Sequence, residues 1–362
     1  MKYLDEFRAP EKVQACLAEI ARLLEGRQAR IMEVCGTHTV ALFRSGLKKL
    51  LPRGLELLSG PGCPVCVTPN SYLDRAIALG RLPGVTVTTF GDMFRVPGSS
   101  SSLENEKASG ADIRMVYSPA DAVELARRDP SRRFVFLGVG FETTIPGVAA
   151  SILHARATGL ANFFVLCGHK LVPPALRALA QDEETAVQGL LLPGHVSTVI
   201  GSEPYRFLAE EFHIPSVVAG FEPLDLAKCI AMLARQLAGR AARVEVQYCR
   251  SVRPEGNPKA VSVMESVFRP CASVWRGIGA IPGSGLELRP EFSAFDAEAI
   301  PVEVEAERSN PGCLCGSVLK GARTPADCPL FGRACTPEDP VGACMVSSEG
   351  TCAAHFKYGR ES

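Results

Sequence analysis

The sequence has no surplus of charge of either sign: Lys plus Arg and Asp plus Glu each number 39. It also lacks any basic run, so no electrostatic footprint for a nucleic-acid backbone exists and nucleic acid is not expected as a partner. No apolar run approaches the roughly 20 residues that a membrane helix requires. The opening MKYLDEFRAPEKVQ carries charge where a secretory leader needs an apolar core, so a cytoplasmic protein away from the membrane is expected. G-x-G-x-x-G and G-x-x-x-x-G-K-[ST] are both missing, and no nucleotide is implied. Paired C-x-x-C knuckles are missing too, which argues against a zinc ribbon.

Cysteine, by contrast, is abundant. The chain has 14 in 362 residues, and six fall in the last stretch: Cys313, Cys315, Cys328, Cys335, Cys344 and Cys352. In a reducing compartment such a count points to metal or redox chemistry rather than to staples. The segment around the six is rich in Gly and Pro and has little apolar periodicity, so it cannot offset its own ordering entropy by burial. Thiolates bound to a metal or cluster, or a disulfide, would organise it. The gaps from Cys315 onward are 12, 6, 8 and 7 residues; such irregular spacing suits an iron–sulfur cluster wrapped by a loop better than zinc. Cys16, Cys167, Cys229, Cys249 and Cys271 stand singly in apolar surroundings and read as core residues.

Between residues 29 and 219 short apolar runs alternate with helical patterns. The runs at 29–34, 55–58, 85–90, 113–117, 134–139, 163–167, 189–192 and 216–219 read as strands; 11–25, 71–79, 119–128, 145–157 and 223–237 read as helices. The alternation predicts an α/β protein with parallel sheets covered on both faces. GFETT (140–144) and GFEPL (220–224) echo each other and suggest two halves. Boundaries near 129–133 and 252–258 give a first α/β domain at 27–130 and a second at 131–252. A third region combines 1–26 with 253–362.

In such sheets the reactive groups collect after the C-terminal ends of strands. There the sequence places Cys35-Gly-Thr-His38, Gly60-Pro-Gly-Cys63-Pro-Val-Cys66, Phe141-Glu142-Thr-Thr, Gly168-His169-Lys170 and Pro193-Gly-His195. Cys63 and Cys66 form a C-x-x-C at a helix start, where the dipole lowers a thiol pKa and favours reversible disulfide chemistry; half of a zinc knuckle is the alternative. Cys35 with His38 is a soft–borderline ligand pair or an activated thiolate. His169 and His195 read either as hydrogen-bond partners for a bound anion or as ordinary loop histidines. Glu142 either supports a helix start or faces a cleft.

Together the words MEVCGTHT (32–39), GPGCPVC (60–66), GFETT (140–144), PGHVS (193–197) and the tail from NPGCLCG to SSEGTC (310–352) closely resemble the HypD family of hydrogenase maturation proteins. The resemblance spans nearly the whole chain. It implies two Rossmann-like domains facing a cleft, with a cysteine-rich C-terminal region holding a [4Fe–4S] cluster. The implied role is a cytoplasmic scaffold for the Fe(CN)2CO unit of [NiFe]-hydrogenases. Its implied partners are a HypC-like chaperone, a HypE-like cyanide donor and, indirectly, the hydrogenase large subunit. Carried over by motif, Cys35 would be the thiolate for the iron, with His38 beside it. Cys63 and Cys66 would be a redox pair. Cys315, Cys328, Cys335 and Cys352 would hold the cluster, leaving Cys313 and Cys344 as spare thiols or a disulfide. Glu142 and His195 join the candidate site. The chain departs from the expected pattern at Thr39-Val40, where a second histidine was anticipated. A free-standing dithiol–cluster disulfide reductase is the alternative reading.

Overall fold

The computed structural model describes residue 7 and residues 9–359, apart from 183, 184, 186 and 309. Its strands, in chain order, are β1 (Ala29–Glu33), β2 (Leu55–Ser59), β3 (Val85–Thr89), β4 (Ile113–Met115), β5 (Arg133–Gly138), β6 (Phe163–Cys167), β7 (Gly189–Pro193), β8 (Ser216–Ala219), β9 (Val244–Val246), β10 (Phe268–Trp275) and β11 (Gly279–Leu288). The eight strands read from the sequence are all present to within two residues, as are the five helices. β3, β7 and β8 are buried along their whole length, as expected for strands covered on both faces.

Two parallel sheets form, in the orders β2-β1-β7-β8-β9 and β4-β3-β5-β6. The expected boundary near residue 130 does not separate them. β1 pairs with β2 on one side and, in register Ile31 to Gly189, with β7 on the other. β3 pairs with β4 and β5. The four-stranded sheet is thus a continuous insertion between β2 and β7. The helix Pro10–Leu23, expected to belong with the tail, instead packs Leu17 and Ile20 into the core that also contains Leu191, Val217 and Ile230.

β10 and β11 form an antiparallel hairpin with an irregularity between Cys271 and Ser273. Phe268, Leu286 and Leu288 bury against Phe134, Phe136 and Phe163 of the four-stranded sheet. Each such fully buried aromatic or aliphatic side chain contributes about 1.5–3 kcal/mol. Cys229 is buried as expected of a core residue; Cys249 is exposed, while Cys16, Cys167 and Cys271 are half-buried. Cys249 follows β9 where the chain turns away from the sheet edge, so its apolar neighbours do not enclose it.

Candidate metal and thiol centre

Residues from both sheets and the tail line one cavity of about 400 Å3. Cys35 and Thr37 reach it from the loop after β1, Pro64 from the loop after β2, Thr143 and Thr144 from after β5, His195 from after β7, and Glu349 from the tail. Two glycines permit this convergence. A Cβ on Gly62 would stand 2.3 Å from the Cys35 backbone nitrogen, and one on Gly36 would stand 2.2 Å from the Glu349 carbonyl oxygen. No side chain fits in either place, which gives the GPGC and CGT words their physical reason.

Cys35 caps the helix Gly36–Arg44 and is buried. Burial, and then the Glu349 carboxylate, push its thiol up to about 11. The Thr37 hydroxyl donates to Glu349 Oε1, tying the tail to the Cys35 loop. Sequence reading left Glu349 unremarked, although it lies within the SSEG word of the tail.

His38 does not line this cavity among the described residues. Its ring is wholly buried, with Nε2 3.3 Å from the Ala219 carbonyl oxygen, and it stacks on Phe221 at 4.8 Å. Burial lowers its pKa to about 3, so it is a neutral support behind the cavity. His195, which does line the cavity, stacks on Phe221 at 3.8 Å. The GFEPL word therefore supplies the aromatic ring held between the two histidines.

Glu142 is buried behind the wall. Its Oε1 accepts from the Val172 backbone N–H at 2.9 Å, while Oε2 has no partner among the described residues. Burial pushes it up to about 7. It thus supports a helix start, but that of Val172–Gln181 rather than its own. His169 is also buried, away from the cavity, with Nδ1 3.4 Å from Cys167 Sγ and its ring edge against Phe268.

Cys63 and Cys66 are both buried and joined as a disulfide with Cα atoms 5.3 Å apart. Pro64 opens the short helix Pro64–Val67, and Cys63 Sγ accepts from the Cys66 N–H at 3.2 Å. Cys66 Sγ lies 3.9 Å from the Ala343 carbonyl oxygen, so the pair touches the cysteine-rich tail on one side while Pro64 borders the cavity on the other.

All six tail cysteines line a single small pocket, together with apolar Val318, Leu330, Phe331 and Met345. Burial raises the Cys352 thiol, and Cys315, Cys313, Cys335 and Cys328 surround it closely enough to raise it further. Cys344 is deeply buried, with its sulfur 3.0 Å from Cys315 Sγ. All six are free, so no Cys313–Cys344 disulfide forms; Cys344 faces Cys315 instead. Six soft donors in an apolar enclosure fit an iron–sulfur cluster. Among the described residues the six are not drawn into a compact metal-ion site.

The model of the family described as hydrogenase formation hypA family, HypD, matches residues 11–359. The hydrogenase maturation factor HypD of Rhizobium leguminosarum bv. viciae is 47% identical over 370 aligned residues, covering 99% of this chain and 96% of that protein. The HypD of Rhodobacter capsulatus is 48% identical, covering 99% of this chain and 98% of its own length. That of Escherichia coli K12 is 45% identical over 100% of this chain and 99% of its own length. With the family model matching residues 11–359 and these relatives 45–48% identical over nearly their whole length, the chain belongs to the HypD family.

Proposed function

We propose that this protein is a hydrogenase maturation factor that works in the cytoplasm as an assembly scaffold, two Rossmann-like units facing each other across the Cys35 cavity. Its cargo is the Fe(CN)2CO unit, with Cys35 as the protein's own ligand. The observation that carries the reading is the meeting of Cys35, His195, Glu349 and the C-x-x-C proline in one cavity. Low-spin iron bearing cyanide and carbon monoxide is soft and prefers thiolate. Because Cys35 holds its proton well above neutral pH, loading must release that proton, and binding is therefore favoured at higher pH. His195 and the threonine hydroxyls at the wall supply hydrogen bonds for cyanide nitrogen.

In this reading Cys63 and Cys66 cycle between disulfide and dithiol, and a [4Fe–4S] cluster in the tail pocket supplies one-electron chemistry when bound. Its ligands are Cys315, Cys328, Cys335 and Cys352. Cys313 and Cys315 stand side by side in the pocket, so Cys313 in place of Cys315 is the one alternative. The partners are a HypC-like chaperone, a HypE-like cyanide donor and, through them, the hydrogenase large subunit. Infrared spectroscopy of protein isolated without air tests the scaffold reading. Bands of bound cyanide and carbon monoxide are expected in the wild type and absent in Cys35→Ala. Bands at full strength in Cys35→Ala would move the iron to another ligand. Their absence from the wild type, with disulfide reduction retained, would leave the reductase.

A further inference from the structure

Three rings from neighbouring strand ends stack beside the Cys35 cavity. His38 follows β1, His195 follows β7 and Phe221 follows β8, and these strands lie side by side in the five-stranded sheet. Phe221 is the middle ring. Its plane lies 4.8 Å and 29° from that of His38, and 3.8 Å and 18° from that of His195. His195 lines the cavity with Cys35 and Glu349, whereas His38 stays behind it.

The middle ring has supports of its own. Tyr248 meets it edge-on at 5.8 Å. The Arg250 guanidinium lies over the Tyr248 ring at 4.5 Å and donates to the buried Asp225 carboxylate at 2.8 Å. A Cβ on Gly194 would stand 2.3 Å from the Ala219 carbonyl oxygen and 3.2 Å from the Phe221 ring. Only glycine before His195 therefore lets the imidazole come down flat on Phe221. The His195 ring has no comparable polar anchor. Its backbone carbonyl accepts from the Thr198 hydroxyl, but neither ring nitrogen makes a hydrogen bond among the described residues. A site histidine is ordinarily oriented by a carbonyl or carboxylate on its second nitrogen. Here an aromatic face takes that place. Ring nitrogens point outward in the plane of the imidazole, so stacking leaves one N–H and one lone pair free for a ligand.

We propose that Phe221, backed by His38, is the positioning residue for His195: the stack fixes the imidazole plane so that its edge meets the occupant of the Cys35 cavity. That this occupant presents a cyanide nitrogen rests on the scaffold reading above; the stack itself does not. His38 then acts two rings away from the ligand, through its flat face, and is no ligand itself.

The sequence has six histidines, so NMR of the full-length protein with labelled imidazoles is tractable, and the signal lost in His195→Gln is that of His195. In the wild type it is expected upfield, shielded by the Phe221 face. Phe221→Leu should return it towards the position of an exposed histidine, with the distant His154 and His213 signals unmoved as the check on folding. Phe221→Tyr and His38→Phe keep flat rings and should hold the signal upfield, while His38→Ala should release it. A His195 signal unmoved by Phe221→Leu would overturn the proposal. Equal displacement in His38→Phe and His38→Ala would remove His38 from the stack and return its importance to its nitrogens. The second measurement is infrared spectroscopy of protein loaded alongside its maturation partners. The cyanide bands of Phe221→Leu should shift as those of His195→Gln do, and those of Phe221→Tyr should match the wild type. Bands that shift in His195→Gln and not in Phe221→Leu would also overturn the positioning role. A wild type without such bands would take down the cargo reading, and the imidazole signal would then decide the stack alone.

Discussion

At the residue scale the cavity is governed by what surrounds one sulfur. Burial and Glu349 both oppose the Cys35 thiolate, so its alkylation is expected to be slow at neutral pH. The rate should rise about tenfold per pH unit until it levels near the thiol's raised pKa. Glu349→Gln removes the opposing charge and keeps an acceptor for Thr37. Its profile should shift to lower pH, with several-fold faster alkylation at pH 8; an unshifted midpoint would mean that burial alone sets the thiol. Cys35 was legible because a thiol after a core strand, beside a C-x-x-C, is unusual chemistry in a short span. Glu349 was not, because nothing local to a carboxylate in a loop reveals a partner more than 300 residues earlier. His38 shows the opposite failure. Its spacing from Cys35 suggests a ligand, yet the helix turn carries the ring back onto Ala219 and Phe221.

At the scale of elements, the loops after β1 and β2 are set by glycine. Gly62→Ala places a methyl group against the Cys35 backbone, which cannot yield as a flexible side chain would. A loss on the order of 2–4 kcal/mol is expected by thermal unfolding, together with faster Cys35 alkylation as the loops part. Wild-type stability would mean that the loops can separate freely. Strands were readable where apolar runs were dense, as in VTVTT or FFVLC. The hairpin was not: β10 contains Pro270 and an irregularity at Cys271–Ser273, which break the alternation that marks a half-buried strand. β9 has three half-buried residues and too little pattern to register. Sheet membership was equally hidden. Periodicity identifies strands but carries no record of which ones become neighbours, and here β7 returns to β1 across the whole four-stranded sheet.

At the scale of the whole molecule, the tail joins the two chemistries. Its pocket holds six thiols, Ala343 touches Cys66, and Glu349 reaches Cys35. Single Cys→Ser changes at Cys328, Cys335 and Cys352 are expected to abolish or alter the cluster's visible absorption. Cys344→Ser should spare it. Comparing Cys315→Ser with Cys313→Ser then identifies the fourth ligand, and loss on changing Cys344 alone would reverse the assignment. The same three losses should loosen the tail to limited proteolysis between residues 310 and 350 while both sheets persist, because the sheets have their own apolar cores.

The contact between Gly36 and Glu349 also has a meaning in time. A ribosome makes Cys35 early and Glu349 more than 300 residues later, and β1 must wait for β7 before its sheet can close. The four-stranded sheet, by contrast, is complete once β6 has emerged, and is free to fold while the rest is still being translated. The cavity is therefore assembled last. A nascent or truncated chain exposes the Cys35 thiol without the surroundings that keep it protonated, and on the scaffold reading proposed above, iron offered at that stage would meet a loose cysteine instead of a site.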